Sequence, residues 1–219
     1  VALPQANNNE KCIEDITNFY KRIARENKPV VSIGGDHSIT GGILQGLGSN
    51  NLEMTQGKKI SFLHIDAHTD TFSQLDHFMG AKKSAAHWGA YLVEQGIIDP
   101  KTSMQIGMRG NPRTLDWLQP SYDLGYNVVT MDEFQKRGID DVIKELLDKI
   151  GDNPLYITFD LDSLDASVAP AVANIEPGFT GFTIDEAKAL IQSVKNKNVI
   201  GGDVVCLMPT KDQKNNITS

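Results

Sequence analysis

The chain has 219 residues, 40% hydrophobic and 22% charged, enough for one domain with a sizeable core. Its formal net charge of −7 argues against a nucleic-acid partner, which would need a basic face. No run of about 18 apolar residues appears, so no membrane span or membrane partner is expected.

Residues 1–9 read as a polar loop. From 10 to 27, Ile13, Ile16, Phe19, Tyr20 and Ile23 recur at helical spacing, and Pro29 stops that helix. A short buried strand is predicted at 30–33, a turn at Gly34-Gly35, and a helix start at 38–47. Strands follow at 59–65, 103–107, 126–130, 155–159 and 199–205. Helices are predicted at 85–95, 114–124, 139–150 and 183–194. The last opens on a capping box, Thr183 with Glu186 three residues on. Strands alternating with helices imply βαβ units: an α/β fold of three αβα layers around a mostly parallel, doubly wound sheet. With no repeats or linker, residues 1–219 read as a single domain. Two cysteines, Cys12 and Cys206, form no disulfide framework and point to a reducing cytoplasm. No signal peptide is visible, although the chain opens at Val1 rather than Met.

Polar residues gather after the strands. Asp36-His37-Ser38 follows one, Asp66, His68 and Asp70 the next, and Asp160 and Asp162 a later one; Asp203 lies within the last. Ligand crevices in open α/β sheets lie outside the carboxyl ends of the strands, so these groups are expected to converge there. Alternate residues at a strand end point the same way, which aims the Asp-x-His-x-Asp and Asp-x-Asp side chains into one crevice. Four crowded carboxylates would repel one another, and divalent cations relieve that. Mixed carboxylate and imidazole donors suit manganese, iron, nickel or zinc. Two metals can generate hydroxide near neutral pH. A lone Asp-x-Asp is more often a turn or a cap, and a lone strand His a core residue; the two together at strand ends favour metal.

Gly34-Gly35-Asp36-His37-Ser38, Asp66-Ala67-His68-Thr69-Asp70 and Phe159-Asp160-Leu161-Asp162-Ser163-Leu164-Asp165 resemble the three signatures of the ureohydrolases, the family of arginase, agmatinase and the guanidino-acid hydrolases. The resemblance implies an arginase-like fold and two divalent metals, usually manganese and in some members nickel. His37 and Asp70 would bind one metal, His68 and Asp162 the other, and Asp66 and Asp160 would bridge both. Bridging hydroxide would attack the guanidinium carbon of a small cationic substrate and release urea. Asp70 would also move protons, and His87 would hand one to the leaving amine. The family commonly forms homo-oligomers, trimers or hexamers. By comparison with it, the chain is expected to lack N-terminal and extreme C-terminal segments. Residues 103–110 look closer to the agmatinase branch; Arg109 is expected to make a structural ion pair, with substrate or a neighbouring subunit as the other reading. His64 is expected behind the site, and His77 in a loop at its mouth.

The pattern breaks at two places. The family's last strand usually ends Asp-Val-Val-Glu; here Cys206 stands where that Glu grips the guanidinium. A carboxylate can make two charge-assisted bonds to a guanidinium, and a neutral thiol cannot. The segment from Pro170 to Thr183 also loses two glycines and gains about two residues, and Trp88 beside His87 adds a bulky aromatic, so Asn174, Thr180, Trp88 and Phe179 are candidates to line the pocket, with Cys206. The reshaped pocket suits a smaller substrate, and the chain also resembles the guanidine hydrolase branch, which implies free guanidine, giving urea and ammonia, ahead of agmatine or a guanidino acid; an aromatic face could hold that small cation without the Glu. An inactive metal-binding relative and a single-metal amide hydrolase of deacetylase type are the remaining readings.

Overall fold

A computed structural model describes residues 8–48, 52–73, 80–110, 115–176, 181–215 and 217–218. Its elements in chain order are α1 (Asn9–Ile23), β1 (Val30–Ile33), α2 (Ser38–Gly48), β2 (Ser61–Ile65), α3 (Trp88–Glu94), β3 (Met104–Met108), α4 (Gln119–Leu124), β4 (Asn127–Thr130), α5 (Met131–Arg137), α6 (Ile139–Ile150), β5 (Leu155–Asp160), α7 (Ile184–Ser193) and β6 (Val199–Val205). The strands form one sheet in the order β1-β6-β5-β2-β3-β4, and every pairing is parallel.

Alternation along β2 divides the core. Phe62 faces a cluster with Ile13, Leu44, Trp88 and Tyr156 that joins α1, α2 and α3 to the sheet. Leu63 and Ile65 face the opposite cluster, where Phe134, Leu146 and Leu190 bring in α5, α6 and α7. Every residue of β2 and β3 is buried, as a parallel sheet covered on both faces requires. The expected three-layer α/β architecture is therefore present.

The differences have local causes. The strand at 30–33 is not buried. It forms the sheet edge and pairs only with β6, leaving Val31 and Ile33 exposed at 77% and 83%. The helix expected from 85 begins at Trp88, because residues 85–87 form a turn. That expected over 114–124 begins at Gln119, with Pro120 in its first turn, where a missing N–H is tolerated; residue 114 lies outside the described residues. Helix α5 has no counterpart in the sequence reading. Thr130 ends β4 and at once caps the helix, its side chain accepting the Glu133 N–H at 3.2 Å. Thr183 and Glu186 form the expected capping box on α7.

Leu63 is fully buried on β2, between β5 and β3. Leu63→Ala should lower the unfolding free energy by about 2–5 kcal/mol in urea denaturation.

Candidate metal centre

The carboxyl ends of β1, β2 and β5 deliver the cluster. After β2 the chain turns tightly: Asp66 Oδ1 accepts the His68 N–H at 2.7 Å, and Ala67 O accepts the N–H groups of Arg109 and Gly110 at 2.9 and 2.7 Å. After β5, Asp160 Oδ1 accepts the Asp162 N–H at 2.9 Å and caps the short turn Leu161–Ser163. Each carboxylate thus uses one oxygen to close its own turn, and Oδ2 of both points inward. Asp70 is held at φ 52, a left-handed conformation uncommon outside glycine.

The inward atoms converge. His37 Nδ1 lies 3.0 Å from Asp66 Oδ2, 3.1 Å from Asp70 Oδ2 and 3.1 Å from Asp160 Oδ2. His68 Nδ1 lies 3.2 Å from Asp162 Oδ2 and 3.4 Å from Asp66 Oδ1. Two groups with metal-ligand chemistry result, His37, His64, Asp66 and Asp70, and Asp66, His68 and Asp162, with Asp66 common to both. A third group joins His37 and Asp160 to Cys206. In each, the donor atoms lie within 4.8 Å of one another.

The donor set fits divalent cations. His37 Nδ1 is buried and makes no hydrogen bond, though three carboxylates face it. Burial raises the Asp162 carboxyl well above its usual range, and the nearby charges of Asp160 and Asp66 add to this. Burial acts the same way on Asp66, but His64, His37 and His68 outweigh it and hold that carboxyl well below its usual range. Burial opposes charge on both cluster imidazoles. Even so, Asp160, Asp66 and Asp70 push His37 up, and Asp162, Asp66 and Glu176 push His68 up. Positive charge is required between these carboxylates, and protons on two imidazoles answer the same demand that cations meet.

A second layer orients the first. His37 Nε2 meets Thr158 Oγ1 at 2.8 Å, and that hydroxyl donates to Asp203 Oδ1 at 2.7 Å. Thr40 and Tyr156 both donate to Asp203 Oδ2 at 2.8 Å. Asp203 therefore lies behind His37 rather than at the crevice edge with the other carboxylates. His64 is behind the cluster, as expected, with Nε2 2.7 Å from Asp66 and Nδ1 3.1 Å from the Gln105 amide. His68 Nε2 meets Glu176 Oε1 at 2.7 Å. A Cβ on Gly110 would stand 2.5 Å from His68 Cδ2, so only glycine admits this imidazole. Sequence reading gave Thr158, Gln105 and Glu176 no role. Thr158 had a signal, lying two residues before Asp160 and so on the same side of β5.

The other expected residues take different places. Trp88 does not line a pocket. It is fully buried, donates Nε1–H to Asp70 Oδ2 at 2.9 Å and packs 5.1 and 4.9 Å from the His37 and His64 rings. Arg109 donates to the main-chain carbonyls of Glu176, Asp162 and Leu164 at 2.7, 2.8 and 3.1 Å, and so clasps a loop where an ion pair was expected. His87 is buried at the N-cap of α3, its Nδ1 2.8 Å from Ser84 Oγ. Asn174 is exposed. Cys206 faces Asp160 and, like Cys12, is a free thiol; burial and the charges of Asp160, Asp162 and Asp66 push it far above its usual range. His77, Phe179 and Thr180 lie outside the described residues.

Thr158→Val would strip His37 Nε2 and Asp203 Oδ1 of a shared buried partner. A loss of about 1–3 kcal/mol in denaturant unfolding is expected.

The Arginase family model matches residues 1–219. An agmatinase of Escherichia coli O7:K1 is 33% identical over 199 residues, covering 88% of this chain and 56% of that protein. The mitochondrial guanidino acid hydrolase of Homo sapiens is 31% identical over 201 residues, covering 92% of this chain and 54% of that one. The chain spans about half the length of the curated relatives it matches. Among solved structures, proclavaminate amidino hydrolase from Streptomyces clavuligerus is similar at a TM-score of 0.81 and 27% identity, over 94% of this chain and 65% of that one. With its sheet order, its two clusters sharing Asp66 and these matches, the chain belongs to the arginase family.

Proposed function

We propose that residues 1–219 form a single catalytic domain that hydrolyses a guanidinium C–N bond and releases urea, using two divalent cations. The observation that carries this reading is the sharing of Asp66 between the His37 and His68 clusters. His37 and Asp70 would hold one cation and His68 and Asp162 the other, with Asp66 and Asp160 as the carboxylates available to both. Manganese is the first expectation from the family and nickel the second. Such a pair supplies Lewis acidity and activates water near neutral pH. Asp70 takes up the proton of the attacking water. His87 delivers a proton to the departing nitrogen, and its bond to Ser84 Oγ fixes the ring for that task.

The substrate is a small guanidino compound. Relatives named agmatinase and guanidino acid hydrolase support an alkylguanidine. Free guanidine stays within the same reading through the absence of a carboxylate at Cys206, but the aromatic wall that favoured it is withdrawn, since Trp88 is buried behind the ligands. A cytoplasmic homo-oligomer, trimer or hexamer, belongs to the same proposal. Two clusters with a common carboxylate disfavour a single-metal amide hydrolase, and the intact donor set disfavours an inactive relative.

Metal-loaded protein should release urea from at least one of agmatine, 4-guanidinobutyrate and guanidine. No urea from any of them at two metals per chain overturns the reading. His87→Asn should lower kcat by about 10²–10⁴-fold with metal content unchanged, the usual contribution of a general acid.

A further inference from the structure

Cys206 stands where β6 ends, at φ 67, a conformation uncommon for a residue with a side chain. Its N–H donates to Gly35 O at 2.6 Å, which ties it to the loop carrying His37. The thiol is thereby brought against His37 and Asp160, with sulfur, nitrogen and oxygen donor atoms within 4.8 Å of one another. A second observation points to a ligand at this spot. His37 Nδ1, on a side chain that is 1% exposed, is aimed into the group and makes no hydrogen bond.

We propose that Cys206 is a sulfur ligand to the metal held by His37 and Asp160, and that it turns the site's preference from manganese toward thiophilic cations such as zinc, cobalt or nickel. The inference rests on the two-metal reading and deepens it. Manganese favours oxygen donors and stands lowest in affinity among the divalent first-row metals, whereas a thiolate favours the softer ions. A mixed nitrogen, oxygen and sulfur set also suits zinc. On coordination the S–H bond breaks, the proton leaves to solvent and a metal–sulfur bond forms. No oxidant or reductant takes part, and one proton is released per thiolate formed. The replacement of Glu by Cys, a loss when seen from the substrate side, becomes a gain of ligand on the metal side.

Cobalt(II) is the probe. The full chain titrated with cobalt should develop a near-ultraviolet thiolate-to-cobalt charge-transfer band that saturates with bound metal. Cys206→Ser should still bind cobalt but lose the band, whereas Cys12→Ser should keep it. The serine variant should also lose on the order of tenfold or more of the zinc-over-manganese preference, a change outer-shell substitutions alone can reach. Cobalt bound without a band, or a band surviving Cys206→Ser, overturns the proposal and leaves the two-metal reading standing. Failure of the native chain to bind cobalt at all overturns both. Should the variant not fold, X-ray absorption on the native cobalt protein decides, by a sulfur neighbour at ~2.3 Å, as in zinc–thiolate sites, or only nitrogen and oxygen.

Discussion

Four carboxylates, those of Asp66, Asp70, Asp160 and Asp162, are nearly sealed from water at one edge of a parallel sheet. Removing a charged carboxylate from water costs several kcal/mol even after relaxation, and like charges side by side add to that. The surrounding structure answers this constraint. Turn N–H groups take one oxygen of Asp66 and one of Asp160. Imidazoles of His37, His64 and His68 stand between the others. Trp88, fully buried, packs beneath the cluster and donates to Asp70. What remains is a demand for positive charge at two adjacent points, the demand that divalent cations would meet.

The fold was legible where periodicity and punctuation agree. The alternation of elements, the helix over 139–150 and the capping box at Thr183 follow from chain chemistry alone, whereas α1 ends before Pro29, tightening into a 3-10 turn over Ala24–Glu26 that closes on Asn27 in the left-handed conformation. Features set by tertiary neighbours were not legible. Val30–Ile33 has the composition of a buried strand, and only its place at the sheet edge exposes Val31 and Ile33. Helix α5 is short, and its start is fused to β4 through Thr130, so no loop announces it.

In the site, the residues that converge were legible because strand ends and an alternating spacing determine where they point. His37, Asp66, His68, Asp70, Asp160 and Asp162 all arrive. Residues supporting them were less so, because a second layer is assembled from elements distant in sequence. Thr158 lies 121 positions from His37, and Glu176 lies 108 from His68. Trp88 was misplaced for the same reason. Its proximity to His87 in sequence suggested a common wall, but successive residues entering a helix do not face one way, and the indole turns into the core beneath Asp70.

Arg109 shows how one charged side chain can serve a centre without touching a ligand atom. Its guanidinium holds the carbonyls of Asp162 and Glu176 together. The side chains of those two residues meet His68 from opposite sides, Asp162 at Nδ1 and Glu176 at Nε2. A carboxylate at Nε2 fixes the proton there and leaves the Nδ1 lone pair for a cation, the arrangement by which outer-shell partners orient histidine ligands. Arg109 therefore braces the two residues that flank the His68 ring through backbone contacts, none of them an ion pair. The rebuilt segment around Glu176, read first as a change in the substrate pocket, acts on the metal side as well. Cys206 faces the same cluster from the end of β6, beside His37 and Asp160, so the two places where the sequence leaves its family's pattern meet at opposite ends of one group of carboxylates and imidazoles.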